Sequence, residues 1–422
     1  TGGKNAIIVS AAGDRDHAIQ NIVTSAFSNA GQKCSACSLL ILEKEVYNDP
    51  DFKTKLIDAV TSLHTGSVWD GANYVGPMIT NYNDKLMHSV ENMEAGEWWL
   101  VKPEFADSRK YMLKPCVKWG VKPGSYTFTT ELFGPLLGVV CADDFEHAIA
   151  LANSSEYGLT AGLQSLDERE QTRWKNAIEA GNLYINRGIT GAIVSRQPFG
   201  GMKRSAFGGG IKAGGPNYVS CFMEIKNSGK LNAKADAGEY KSMSSVLRNE
   251  DKTKFESAVS SYTKAYADEF AVERDIHNLM GEQNIFRYLP LKNMLIRIQK
   301  DDSLCDILMT AVASKIAKTP FTFSIDRDNA HLATMKTLFG DAAILLQNNN
   351  EFISGMEKFE RIRTCSARIP LEVYKKAATL GLYIAMQEPL LEGRLELLHY
   401  LKEQSVAFEY HRYGSFTEVP VI

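Results

Sequence analysis

The 422-residue chain contains no apolar run near the ~20 residues that a membrane-crossing helix requires. It also lacks a surplus of positive charge. Its 47 Lys and Arg stand against 50 Asp and Glu, a net charge of -3, so no basic block is available to neutralise a run of phosphates and no nucleic-acid partner is expected. Cysteines number seven, at 34, 37, 116, 141, 221, 305 and 365, an odd count that speaks against a disulfide framework and for a reducing, cytoplasmic setting. A metal centre is not expected either. Cys34 and Cys37 form one C-x-x-C, but no second pair and no spaced histidines supply the remaining ligands, and His64, His88 and His147 are isolated in amphipathic stretches. With 13 Pro, 32 Gly, 44% hydrophobic and 23% charged residues, the chain is neither disordered nor a low-complexity polymer. At ~150 residues per domain it holds two or three globular units.

Helix and strand signals alternate at α/β spacing through residues 1–215. Asn5 to Val9 reads as a buried strand, residues 11–29 as a helix carrying Ile19, Val23 and Phe27 on one side, and 38–42 as the next strand. Further helices are expected at 52–63, 145–153 and 168–180, and strands at 136–141, 161–163 and 183–186, which implies a mainly parallel sheet with helices on its faces. Glycines then crowd residues 188–216 around "PFGGMKRSAFGGGIKAGGP". Such a segment loses much chain entropy on ordering and suits a place where backbone approaches a ligand or another segment closely, although a surface loop is the plainer reading.

Residues 216–238 read as a strand followed by a small, polar linker, and 239–284 as a helical connector. Within the connector, Phe255, Val259, Tyr262, Tyr266 and Phe270 form a continuous apolar stripe on an expected helix over 252–279. Residues 285–422 form a second α/β block. Its expected strands are 294–298, 321–325, 343–346, 361–364, 383–385 and 406–410, with helices at 303–317, 330–338, 351–358, 372–380 and 392–403. No phosphate-binding glycine motif follows any of these strands, so this block is expected to be a Rossmann-like domain without chemistry of its own.

Gly31-Gln32-Lys33-Cys34-Ser35-Ala36-Cys37 lies between a helix and a strand, where a cysteine can be held with its sulfur facing a cleft. A pair of small core residues is the plainer alternative. In its order and spacing, however, the chain resembles the aldehyde dehydrogenase superfamily: "TGGKNAIIV" at 1–9, Phe27 to Cys34, "ELFGP" at 131–135 and "QPFGG" at 197–201. Within it, "GQKCSACS" at 31–38, "TGAIVSRQPFGG" at 190–201 and "KAGGPNYV" at 212–219 resemble L-glutamate γ-semialdehyde (1-pyrroline-5-carboxylate) dehydrogenases. "DDSL" at 301–304, "GRLELLHYLKEQS" at 393–405 and "YHRYG" at 410–414 resemble the C-terminal region of bacterial bifunctional proline utilisation A proteins.

This resemblance implies an NAD-dependent oxidation of the semialdehyde to glutamate in proline catabolism. Cys34 would be the catalytic thiolate. Glu131 would accept the nicotinamide ribose hydroxyls with Phe133 beside the cofactor, and Phe199 would wall the aldehyde pocket. Ser35, Gly191 and Ala192 would anchor the substrate's α-carboxylate. It further implies a β-flap strand at 217–225, FAD only in an upstream proline dehydrogenase portion, and membrane association, if any, that is peripheral and made by upstream domains. A homodimer is compatible with it. The family's general-base glutamate, oxyanion asparagine and NAD pyrophosphate segment precede the residue matching Thr1, so this segment alone is expected not to turn over. A non-enzymatic assembly unit, or a dehydrogenase for another aldehyde, remains the alternative.

Overall fold

The computed structural model describes residues 2–410 apart from 82, 229, 230, 233 and 367. Its strands are β1 (Asn5–Val9), β2 (Cys37–Glu43), β3 (Trp98–Val101), β4 (Cys116–Trp119), β5 (Leu136–Ala142), β6 (Tyr157–Gly158), β7 (Thr160–Gln164), β8 (Asn182–Ile185), β9 (Met202–Lys203), β10 (Glu282–Pro290), β11 (Met294–Arg297), β12 (Phe321–Ile325), β13 (Ile344–Leu346), β14 (Arg361–Thr364), β15 (Tyr383–Met386) and β16 (Leu401–Glu409). Nine of them form one sheet in the order β10-β16-β8-β7-β1-β2-β5-β4-β3, parallel inside and antiparallel at both edges.

Alternation along the inner strands explains the layering. Ile7, Val9, Leu40 and Leu42 face the helices Arg15–Phe27 and Pro50–Thr61, where Ile22, Phe27, Phe52 and Leu56 close one core. Their neighbours Ala6, Ile8, Leu39 and Ile41 face the helices Phe145–Asn153 and Glu168–Ala177, which bring Ile149 and Trp174 to the opposite core. Burial on both faces is what makes these strands read as continuous apolar runs. The remaining large sheet is five-stranded and wholly parallel, ordered β13-β12-β11-β14-β15, with the buried helix Leu304–Ile316 on one face.

Three expectations need correction. The helix expected over 252–279 is α-helical at Asn249–Ala265 and closes in a π-turn at Tyr266–Phe270. Beyond it, Arg274 and Phe286 exchange both backbone hydrogen bonds (3.0 and 2.8 Å), which turns the chain back onto β10. Of the stripe, Phe255, Val259, Tyr262 and Phe270 are buried in the core that includes the helix Leu304–Ile316. The helix expected at 392–403 survives only as Gly393–Glu396 and a 3-10 turn to His399, because β16 begins at Leu401 and pairs along its whole length with β10. Glu403, the last residue of that expected helix, is buried together with Gln404 and Ser405 between β10 and β8. The expected flap strand at 217–225 is instead a 3-10 turn, Tyr218–Phe222, closed by Ser220 N–H donating to the Asn217 carbonyl at 3.1 Å. Of the "YHRYG" motif, residues 411–414 lie outside the described residues.

The expected boundary at 284/285 falls inside β10, and β16 pairs in parallel with β8, so the chain after 285 returns to complete the first sheet. A buried ion pair fastens that return. Arg363 on β14 donates to Glu396 Oε1 at 2.9 Å, both side chains are fully buried, and the Tyr400 hydroxyl donates to the same oxygen at 2.8 Å. Removing one partner from such a pair strands a charge. Glu396→Ala should cost about 3–5 kcal/mol in chemical denaturation, and Arg363→Met with Glu396→Leu together much less. Ending the chain after residue 284 should expose the edge of β8 and cause aggregation visible by light scattering. A monodisperse truncation product would overturn that expectation.

Candidate active site

Asp14 caps the helix Arg15–Phe27 at its start, accepting from His17 N. At its far end the chain leaves through three consecutive left-handed residues: Asn29 (φ 60°), Ala30 (φ 54°) and Gly31 (φ 64°). Gly31 is required twice over, since a Cβ there would also stand 2.4 Å from the Gly134 carbonyl oxygen. This tight exit delivers Cys34 to the lip of β2, where it is exposed while Ser35, Ala36 and Cys37 are buried.

The backbone around Cys34 is clamped from β1. Asn5 Nδ2 donates to the carbonyls of Cys34 (2.8 Å) and Ala36 (2.9 Å), and Asn5 Oδ1 accepts from Thr160 N (3.1 Å) at the start of β7. Thr160 Oγ1 also donates to the Ser35 carbonyl at 3.4 Å. Gly3 lies so close that a Cβ would meet the Cys34 carbonyl oxygen at 2.6 Å. Burial pushes the Cys37 thiol up to about 12, so of this C-x-x-C one sulfur is exposed and the other is a protonated core group.

The "ELFGP" loop is fastened to the same edge. Gly3 N–H donates to Glu131 Oε1 at 2.9 Å, and Gln32 Nε2 donates to the Phe133 carbonyl at 3.3 Å while its Oε1 accepts from Ile79 N at 2.9 Å. Phe133 has φ 52° and a 39% exposed ring. Lys4 lies behind this edge with its Nζ buried. Desolvation pushes the amine down to about 7 against the opposing charge of Glu131. An orientated carboxylate beside an exposed ring fits a dihydroxylated ribose carrying an aromatic base.

The other expected residues arrive by different routes. Phe199 is half-buried and bonded to Ala213 through both backbone groups at 2.9 Å, next to Asn182 at the start of β8. Gly191 (φ 81°) is exposed and Ala192 partly so, on a loop hung from the helix Arg15–Phe27 by Ile189 N–H donating to Ser25 Oγ at 3.0 Å. Direct contacts thus join Cys34, Glu131 and Phe133 through Gly3, Gln32 and Gly31, whereas Phe199, Gly191 and Ala192 are linked to them through strand ends and the helix. Of the arginines near the loop, Arg196 pairs with Glu282 and Arg204 with Glu156, while Arg187 stands 3.7 Å from Glu282 and 3.4 Å from Glu409 with its Nε and Nη1 buried and making no hydrogen bond among the described residues. Sequence reading passed over Asn5, Thr160, Asn182 and Tyr184. Polar residues at the starts of otherwise apolar strands were the signal available for the first three. Tyr184, pushed up to about 12 by burial and next to Cys34, carried none.

Residues 1–228 match the aldehyde dehydrogenase family. The 1-pyrroline-5-carboxylate dehydrogenase of Geobacillus kaustophilus (strain HTA426) is 37% identical over 231 residues, covering 54% of this chain and 44% of that protein. Its counterpart in Staphylococcus aureus (strain JH1) is 39% identical over 231 residues, covering 53% and 43%. The chain therefore spans less than half the length of these relatives. Among solved structures, Proline Utilization A from Corynebacterium freiburgense superposes with a TM-score of 0.82 at 36% identity, covering 98% of this chain and 39% of that one. A 1-pyrroline-5-carboxylate dehydrogenase from Thermus with bound NAD superposes at 0.50 and 33% identity, over 54% of this chain and 43% of the other. The first of these likenesses runs through both sheets and into β16, the second through little more than the first half. On these grounds the chain belongs to the aldehyde dehydrogenase family and is closely related to the bacterial 1-pyrroline-5-carboxylate dehydrogenases and proline utilisation A proteins.

Proposed function

We propose that this chain is the catalytic and C-terminal portion of an NAD-dependent dehydrogenase that oxidises L-glutamate γ-semialdehyde to glutamate. The observation that carries the reading is the exposed Cys34, on a backbone clamped by Asn5 and tied through Gly3 to Glu131. The likeness to Proline Utilization A over 98% of the chain supports an origin in a bifunctional proline-catabolic protein.

Cys34 attacks the aldehyde carbon, forming a C–S bond, and the carbonyl oxygen becomes the hydroxyl of a thiohemiacetal. NAD, when bound, supplies the acceptor for the hydride lost from that carbon. The resulting thioester is cleaved by water, which frees the Cys34 thiol and the product carboxylate. Glu131 contributes orientation: with Oε1 held by Gly3 N–H, its carboxylate is fixed to accept ribose hydroxyls, and the exposed Phe133 ring lies alongside. Substrate carboxylate binding falls to main-chain N–H groups at Gly191 and Ala192, supported by Ser35. The pairing of Arg196 and Arg204 with glutamates leaves those two guanidiniums engaged and supports such a backbone anchor.

The test follows NADH formation by the complete protein with the semialdehyde, succinate semialdehyde and acetaldehyde. A clear preference for an aldehyde without the α-carboxylate would sink the substrate assignment. Cys34→Ser should lower kcat by on the order of 10³-fold or more with the melting temperature unchanged, while Cys37→Ser should affect stability and leave the chemistry intact. Equal losses of activity from both would point to a paired-thiol mechanism. Glu131→Gln should raise the KM for NAD about tenfold or more, from a weakened charge-assisted bond, with little change in the KM for aldehyde. Initial-rate kinetics with each substrate varied in turn would separate the two constants.

A further inference from the structure

Phe199 is the expected wall of the aldehyde pocket, and its position is fixed from inside and outside its own loop. The backbone on either side is held from other strands. The Pro198 carbonyl accepts from Asn182 Nδ2 at 3.0 Å and from Ser405 Oγ at 2.7 Å. Gly200 N–H donates to Asn182 Oδ1 at 3.2 Å, and the Gly200 carbonyl accepts from Lys212 Nζ, which also donates to Asn182 Oδ1 at 3.1 Å. Phe199 itself is paired with Ala213, the residue after Lys212. Lys212 is fixed in turn from β16: its N–H donates to Glu403 Oε2 at 2.7 Å, and Glu403 Oε1 accepts from Asn217 Nδ2 at 2.6 Å. Gly181 leaves the room this needs, since a Cβ there would stand 1.8 Å from the Gly200 carbonyl oxygen.

All five groups are buried: Asn182 and Lys212 completely, Ser405 to 1% exposure, Asn217 to 3% and Glu403 to 4%. Buried polar groups that satisfy one another specify a single geometry, because any displacement leaves a donor or acceptor without a partner and without water. The network fixes the Phe199 backbone on both sides of a residue that is itself half-buried. Two of its members, Glu403 and Ser405, come from the strand that the C-terminal part of the chain inserts beside β8.

We propose that Lys212, Glu403 and Ser405 are positioning residues for the aldehyde pocket: through Asn182 they set where the Phe199 ring stands, and so set which aldehydes reach Cys34. The inference rests on the dehydrogenase reading for the identity of the pocket. Its consequence is that the C-terminal part of the chain shapes aldehyde selectivity without touching substrate.

The experiment uses the complete protein and two readouts. The first is the ratio of Cys34 alkylation rates by iodoacetamide and the bulkier N-phenyliodoacetamide, followed by peptide mass spectrometry, which requires no turnover. Lys212→Met and Ser405→Ala should each shift this ratio by about fivefold or more, and Ser405→Thr should restore it. If they act through Phe199, neither should add to the shift caused by Phe199→Ala. The second readout is steady-state kinetics, in which both variants should raise the KM for the semialdehyde by a similar factor with kcat within about twofold. An unchanged ratio, a shift additive with Phe199→Ala, or loss of the folded state in both variants would overturn the proposal. Failure of the dehydrogenase reading is seen separately, as the absence of aldehyde oxidation in the unsubstituted protein, while the alkylation ratio still reports on Phe199.

Discussion

Two buried asparagine side chains, Asn5 and Asn182, hold the active edge of this molecule together. Each stands at the start of a parallel strand, and each commits its side-chain amide to the chain segment that crosses that strand end. Asn5 fixes the carbonyls on either side of Ser35, and Asn182 fixes the peptide groups on either side of Phe199. Thr160 lies between them, paired in register with Asn182 and bonded to Asn5 Oδ1, and Ser405 continues the row as the partner of Asn182 on β16. A line of polar groups thus runs across β16, β8, β7 and β1 to Cys34, with successive strands about 4.8 Å apart. Replacing any member by an apolar residue would leave its neighbours unsatisfied in the interior, which is why the row behaves as one constraint.

The glycines around this edge are the steric counterpart of the same constraint. Gly3, Gly31 and Gly181 each lie where a Cβ would come within 2.6 Å of a carbonyl oxygen, belonging to Cys34, Gly134 and Gly200 respectively. Gly31 carries a positive φ in addition, so the "GQKC" motif is read in the structure as a turn that only glycine permits, followed by the exposed sulfur. Motif glycines and row asparagines therefore address one problem: crossing segments must approach strand ends closely, and every polar group displaced by that approach must find a partner.

This division explains what the sequence made legible. Apolar periodicity located the central strands and helices to within a few residues, because β1, β2, β5 and β11 are buried on both faces and read as largely apolar runs. The motifs pointed to Cys34, Glu131 and Phe133, which the folded chain joins through Gly3, Gln32 and Gly31. What escaped was decided by pairing over long sequence distances. Glu403 falls at the end of an expected helix, and the burial of Glu403 to Ser405 follows only once β10 and β8 stand on either side. The segment 64–135, which gave no secondary-structure signal, holds β3, β4 and the helix Asp84–Glu91, because Trp98 to Val101 and Cys116 to Trp119 are too short for periodicity to register.

The five-stranded sheet presents the opposite relation between fold and chemistry. Its order places β11 beside β14, with β12 and β13 on one side and β15 on the other, so the connections diverge between β11 and β14 as at the ligand crevice of a doubly wound sheet. The charged residues lining that crevice are Asp301, Asp302, Asp306 and Glu388, with Lys226 and Arg368. Ser303 Oγ already accepts from Asp306 N, and the Asp302 carboxylate accepts from Gln299 N at 2.8 Å. The positive end of the helix Leu304–Ile316 is thus answered by the protein's own carboxylates, which would repel a pyrophosphate seated there. The load this sheet carries is structural: Arg363 and Glu396 bind it to the approach of β16, and β16 delivers Glu403 and Ser405 to the edge that holds Phe199.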